Sequence, residues 1–62
     1  MESEELPLLY KVSKAAELLG ISRTNVYYLM DEGRIRSVRI GKRRLIPRDA
    51  LASFVRELEA AS

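Results

Sequence analysis

The stretch Val12–Gly33, VSKAAELLGISRTNVYYLMDEG, constrains this chain more than any other. It reads as two short helices with a tight turn between them. Ser13 is an expected first N-cap, its hydroxyl accepting an orphan backbone N–H. Ala15, Ala16, Leu18 and Leu19 then place apolar groups at helical spacing. Gly20 predicts the end of that helix, because glycine enters the left-handed region without a Cβ clash. Ile21 is an apolar plug and Ser22 a second N-cap. Val26, Leu29 and Met30 form the next stripe at i, i+3, i+4. Gly33 is a second stop. The helices are expected over about 13–19 and 22–32. Helix, Gly-Ile turn and second capped helix is the pattern of a helix-turn-helix.

The stripe leaves one side of the second helix free. At about 100° per residue, Thr24 and Tyr28 fall opposite Val26, Leu29 and Met30, with Arg23, Asn25 and Tyr27 on the flanks. A hydroxyl, two phenols, a guanidinium and an amide near a helix N-terminus can hold phosphates and read base edges. Taken alone, the same face is equally a solvated surface with half-buried tyrosines. The rest of the chain decides between the two.

With 62 residues the chain is a single domain, 1–62, near the lower size limit for folding alone. Apolar residues make up 47%, enough for a small core without staples. The absence of Cys and His excludes disulfides and Cys/His metal sites and fits a reducing cytoplasm. No apolar run approaches the roughly 20 residues of a membrane span. The acidic start MESEELPLLY does not read as a signal peptide. Net charge is only +2, but its distribution is uneven. Residues 1–10 hold three acids and no base. Residues 34–48 hold seven bases (Arg34, Arg36, Arg39, Lys42, Arg43, Arg44, Arg48) and no acid. Such segregation points to a polyanion on one side.

Residues 1–5 are expected to be a flexible tail. Leu6–Tyr10, with Pro7, reads as an extended segment or short edge strand. Arg34–Arg36 is a connector. Val38 and Ile40 alternate with Ser37 and Arg39, a period of two. Gly41-Lys42 is the signature of a two-residue type II′ turn, and Arg43–Ile46 returns as a second strand. A four-residue loop would shift the pairing, so the register stays open. Pro47 stops the strand. Leu51, Phe54, Val55 and Leu58 mark a last helix from 48 to about 60, with Asp49 in its first turn. A lone hairpin is marginal in water, so this one is expected to pack on the helices through Val38, Ile40 and Ile46. The expected core is Ala16, Leu19, Val26, Leu29, Ile46, Leu51, Phe54 and Leu58. The fold class is mainly α with a small β-hairpin: a winged helix-turn-helix. Four bases, Arg39, Lys42, Arg43 and Arg44, cluster on the hairpin that forms the wing. As a solvated, solubilising turn, Lys42 to Arg44 would need no partner.

The run YKVSKAAELLGISRTNVYYLMDEGRI, the block SVRIGKRRLIPRDAL and the closing helix with Phe54 and Leu58 together resemble the small excisionase-type members of the MerR-like winged-helix group. The resemblance covers about residues 9–58. Ala16, Gly20, Val26 and Leu29 match the spacing of the general helix-turn-helix pattern. In that group the second helix enters the major groove and the wing reaches the flanking backbone or minor groove. The resemblance therefore implies Arg23, Thr24, Asn25, Tyr27 and Tyr28 on the groove helix and Arg39, Lys42, Arg43 and Arg44 on the wing. Full MerR regulators carry a long dimerisation helix and an effector domain. This chain shows neither, so no small-molecule ligand or cofactor is expected.

The function the resemblance implies is that of an excisionase, or recombination directionality factor. Such a protein binds double-stranded DNA at adjacent sites, bends it and helps an integrase (a tyrosine recombinase) run toward excision in the cytoplasm of a bacterial host. A small transcription regulator is the alternative on the same scaffold. A protein-interaction module with an incidental basic patch is a third. No catalytic residue is expected: Asp31-Glu32 and Glu57/Glu59 read as solvated helix charges.

Overall fold

The computed structural model describes residues 7–62. The expected tail, and Leu6 of the expected extended segment, lie outside the described residues. The elements are β1 (Leu9–Lys11), α1 (Val12–Leu19), α2 (Arg23–Asp31), β2 (Val38–Ile40), β3 (Arg43–Pro47) and α3 (Arg48–Ala61). This is the expected helix-turn-helix, wing and closing helix. The sheet is larger than a two-stranded wing, because β1 pairs antiparallel with β3 and gives the order β1-β3-β2. β1 is an edge strand, as a proline-led segment predicts.

The two helices of the motif are bounded mostly as their sequence demands. Gly20 takes φ 77°, and its N–H donates to the Ala16 and Glu17 carbonyls. The Ile21 N–H donates to Ala16 O at 3.0 Å, which completes a Schellman ending. Ser22 caps α2: its Oγ accepts the Asn25 N–H at 3.1 Å. At the far end the Gly33 N–H reaches Met30 O at 3.0 Å and the Arg34 N–H reaches Leu29 O at 2.9 Å, a second Schellman pair. The expectation for Ser13 is overturned. Lys11, paired with Leu45, keeps extended angles (φ −64°, ψ 155°) and is the N-cap of α1. β1 thus runs into the helix without a loop. Ser13 is already helical and makes no capping bond.

The wing closes through the two-residue turn, with Ile40 opposite Arg43. Gly41 has φ 62° and Lys42 has no positive φ, the signature of type II′. This register corrects the expected packing of the hairpin. Residues paired across an antiparallel ladder share a face, so Ile40 lies with Arg43 and Val38 with Leu45. Ile46 is one residue further along β3 and must point the other way. Accordingly Ile46 is 0% exposed, while Val38 and Ile40 are 37% and 57% exposed. Ile46 alone of the three packs inward, on the face it shares with its β1 partner Tyr10.

The core comprises Val12, Ala15, Ala16, Val26, Met30, Ile35, Ile46, Ala50, Leu51 and Phe54, with Tyr10, Leu19, Ile21 and Leu29 packed partly against it. Leu58 does not belong to it. It lies in the second half of the 14-residue α3 and is 45% exposed. Leu18 is exposed as well, because the buried stripe of α1 is Val12, Ala15, Ala16 and the half-buried Leu19. Ile35, expected to be part of a plain connector, is a buried plug held below the second Schellman turn. α3 starts without a side-chain cap, and the Arg48 N–H donates instead to Leu8 O at 2.9 Å.

Phe54 sits under the helices and receives the Arg34 guanidinium 5.6 Å from its ring centre. Phe54→Ala is expected to lower unfolding free energy by about 3–5 kcal/mol. Leu58→Ala is expected to cost well under half of that. Urea denaturation of the two variants beside the parent chain checks both halves.

Candidate nucleic-acid interface

The side chains singled out on α2 divide between its two flanks. Arg23 and Tyr27 line a polar cleft whose other walls are the start of α1 and the wing. Lys11, Val12 and Ser13 come from the first, and Lys42, Arg43, Arg44 and Leu45 from the second. The cleft therefore joins three elements separated in the chain. Its chemistry is that of an anion-binding strip: five cationic side chains, a phenol and the positive end of the α1 dipole. Thr24 and Tyr28 are both exposed on α2. Arg39 is exposed on β2, directly opposite Arg44.

The sequence did not point to Lys11 and Ser13. Their place follows from the strand-to-helix junction. Ser13, in the first turn of α1, lines the wall of the cleft. The usable signal was the KVSK run, two lysines around a helix start.

Arg44 differs from the other wing cations. It is half-buried, and its Nη2 donates to Ser37 Oγ at 3.3 Å. Its Nη1 lies 3.7 Å from Asp31 Oδ1, at the last residue of α2. Arg39, Lys42 and Arg43 are exposed.

Asn25 and Tyr28 line a different, apolar groove on the far flank of α2. Leu18, Leu19, Ile21, Leu29, Phe54, Val55 and Leu58 form its walls. Tyr28 is itself 60% exposed. The Glu32 carboxylate one turn on raises its pKa above the ordinary tyrosine value, first as an acceptor that favours the protonated phenol and then through its negative charge.

The chain matches the family model described as Helix-turn-helix domain over residues 9–59. It belongs to the helix-turn-helix domain family. This helix-turn-helix domain is also 45% identical over 53 residues to a Saccharopolyspora erythraea protein named "Probable excisionase". The match covers 86% of this chain and 54% of that protein, so the chain spans about half the length of its relative. The excisionase-type resemblance read from the residues is thereby borne out. No solved structure matches the chain. Among the described residues, no helix is long and apolar enough to cross a membrane.

The influence of Glu32 on the Tyr28 phenol makes a spectroscopic prediction. In a Tyr10→Phe, Tyr27→Phe background the remaining phenol should ionise at a pH above the ordinary tyrosine value of about 10. Its neutral form is the one favoured by folding, so whatever stability it contributes is lost as pH rises through the folded pKa. Glu32→Gln should bring the ionisation down. Absorbance at the phenolate band across an alkaline titration reads the difference.

Proposed function

We propose that this helix-turn-helix domain binds double-stranded DNA as an excisionase-like accessory factor of site-specific recombination. The observation that carries the reading is the shared cleft. Arg23 and Tyr27 of the second helix meet Lys42 and Arg43 of the wing along one cationic strip, in a chain of this family. A helix-turn-helix lays its second helix in the major groove with its N-terminal residues on base edges. Arg23, Thr24, Asn25, Tyr27 and Tyr28 are the candidate contacts there. Arg23 suits guanine and Asn25 suits adenine, each bidentate pair giving about 1–3 kcal/mol of discrimination. Tyr27, at the cleft, suits a phosphate. The exposed wing cations Arg39, Lys42 and Arg43 suit the backbone of the flanking duplex.

The finer role follows from size. One module of this kind buries only about 600–1,000 Å² on DNA, little for tight specific binding. Copies on adjacent sites raise each other's local concentration. A row of them bends the duplex and favours an integrase acting in the excisive direction. The name of the Saccharopolyspora erythraea relative supports this over a regulatory role. The reading places the protein in the bacterial cytoplasm with the chromosome.

Three measurements test it. Titration of duplexes with one, two and three sites should show affinity per site rising with site number. Equal affinity on all three would sink the cooperative cluster. Arg43→Ala should weaken specific and non-specific binding alike and reduce the slope of log K against log salt by roughly 0.9. In vitro excision by a cognate integrase should depend on the protein. Specific binding without any effect on excision would leave a transcription regulator.

A further inference from the structure

The place of Arg44 in the chain groups it with the wing cations, but its surroundings set it apart. It lies on β3 two residues before Ile46 and so shares the inward face of the strand. Its guanidinium reaches two other segments at once: Asp31, the last residue of α2, and Ser37, in the connector before β2. Among the polar contacts of the described residues, this is the one that ties the wing to α2. The backbones do little of that work. α2 packs on α1, while β3 packs on α1, α3 and its neighbouring strands. The angle between α2 and the wing is therefore set indirectly through the core, except at this bridge.

The charges around the bridge strengthen the point. Arg39 stands directly opposite Arg44 in the ladder, and like charges in that position repel. Asp31 is the acid that meets this pair, from a residue 72% exposed at its side chain. A planar guanidinium can serve a carboxylate and a hydroxyl in different directions from one fixed position. An ammonium on a flexible stem cannot hold both with the same geometry.

We propose that Arg44 is a positioning residue, bridging Asp31 and Ser37 to fix the wing relative to the recognition helix, and not a phosphate contact. The proposal rests on the DNA-binding reading for its consequence but not for the bridge itself. A rigid link lets the helix and the wing engage one duplex without first losing orientational freedom. It acts on fit, and hence on specificity, more than on bulk electrostatic attraction. Asp31 then aids DNA binding although it is an acid beside a polyanion.

Two experiments on the full chain test this. The first needs no DNA. Backbone amide relaxation of the free protein should show the wing tip, Gly41–Arg43, becoming more mobile in Arg44→Ala, Arg44→Lys and Asp31→Ala while the amides of α1 and α3 stay as they were. An exposed ion pair contributes little to stability, so all three variants should fold. A wing tip of unchanged mobility in these variants overturns the bridge. The second compares a duplex selected from a random pool with a scrambled duplex of the same length. Asp31→Ala should lower the ratio of selected to scrambled affinity by roughly 3-fold, the scale on which an exposed pair couples. Arg44→Ala should do the same, the double variant should do no worse than either, and Arg44→Lys should fail to rescue. If Asp31→Ala instead tightens both duplexes, or Arg44→Lys restores wild-type affinity, Arg44 is an ordinary cation and the proposal is wrong. If the parent chain binds neither duplex, the DNA-binding reading fails, while the relaxation data still decide whether the bridge orders the wing.

Discussion

Burial of Ile46 in the middle strand is the constraint on which the rest of the molecule depends. β3 is the strand that both neighbours pair with, and Ile46 is its one fully buried side chain. Two junctions then transmit its position. β1 becomes α1 between Lys11 and Val12, and β3 becomes α3 between Pro47 and Arg48, each without a loop. A helix that starts directly from a paired strand has its rotation about its own axis fixed by that strand's register. The bond from the Arg48 N–H to Leu8 O ties the second junction to the residue just before β1. Val12, Ala50 and Leu51 are brought to Ile46 in this way, and α2 completes the core by laying Val26 and Met30 on α1.

Parity explains most of what the sequence conceals. Val38, Ile40 and Ile46 are equally apolar, and a packing hairpin needs apolar side chains, so all three were expected inside. Whether they can share a face depends on the turn. With a two-residue Gly41-Lys42 turn, Ile40 pairs with Arg43 and cannot share a face with Ile46. The composition of the strands does not carry that information, and the alternative loop length left it open. The ends of the motif helices were legible for the opposite reason. The Gly20 and Gly33 stops and the Ser22 cap are satisfied within a few residues of chain. Ser13 looked like the same chemistry, but its helix start is set by a strand pairing more than thirty residues away in the chain, Lys11 with Leu45. Ile35 was hidden because a lone apolar residue between two arginines has no period to reveal it.

The candidate interface was legible as a list of residue types and not as an arrangement. Charge segregation brought attention to residues 34–48, and helical periodicity to the outer side of α2. Neither tells which cations are free. Arg34 lies over Phe54, Arg48 is bonded to the backbone at Pro7, and Arg44 meets Asp31 and Ser37. Three of the seven basic residues of that stretch thus have internal partners. Nor does periodicity separate the two flanks of α2, one opening on the cationic cleft and the other on the apolar groove that Asn25 and Tyr28 line.

The charge pattern along α2 gives the wing a problem that its sequence also answers. The N-terminal end of the helix carries Arg23 beside the positive pole of the helix dipole, and the C-terminal end carries Asp31 and Glu32 beside the negative pole. A polyanion is drawn to the first and repelled by the second. The wing rises near the second end, since the connector from Glu32 to Ser37 is short. Left alone, that end would repel a duplex reaching across to the wing, and Arg39 and Arg44 would repel each other. Placing Arg44 against Asp31 reduces both repulsions with one contact. The side that faces the cleft is then left with cations that have no ion-pair partner among the described residues, in a chain whose net charge is only +2. For a domain this small, pairing Asp31 locally does part of what a larger excess of bases would otherwise be needed for.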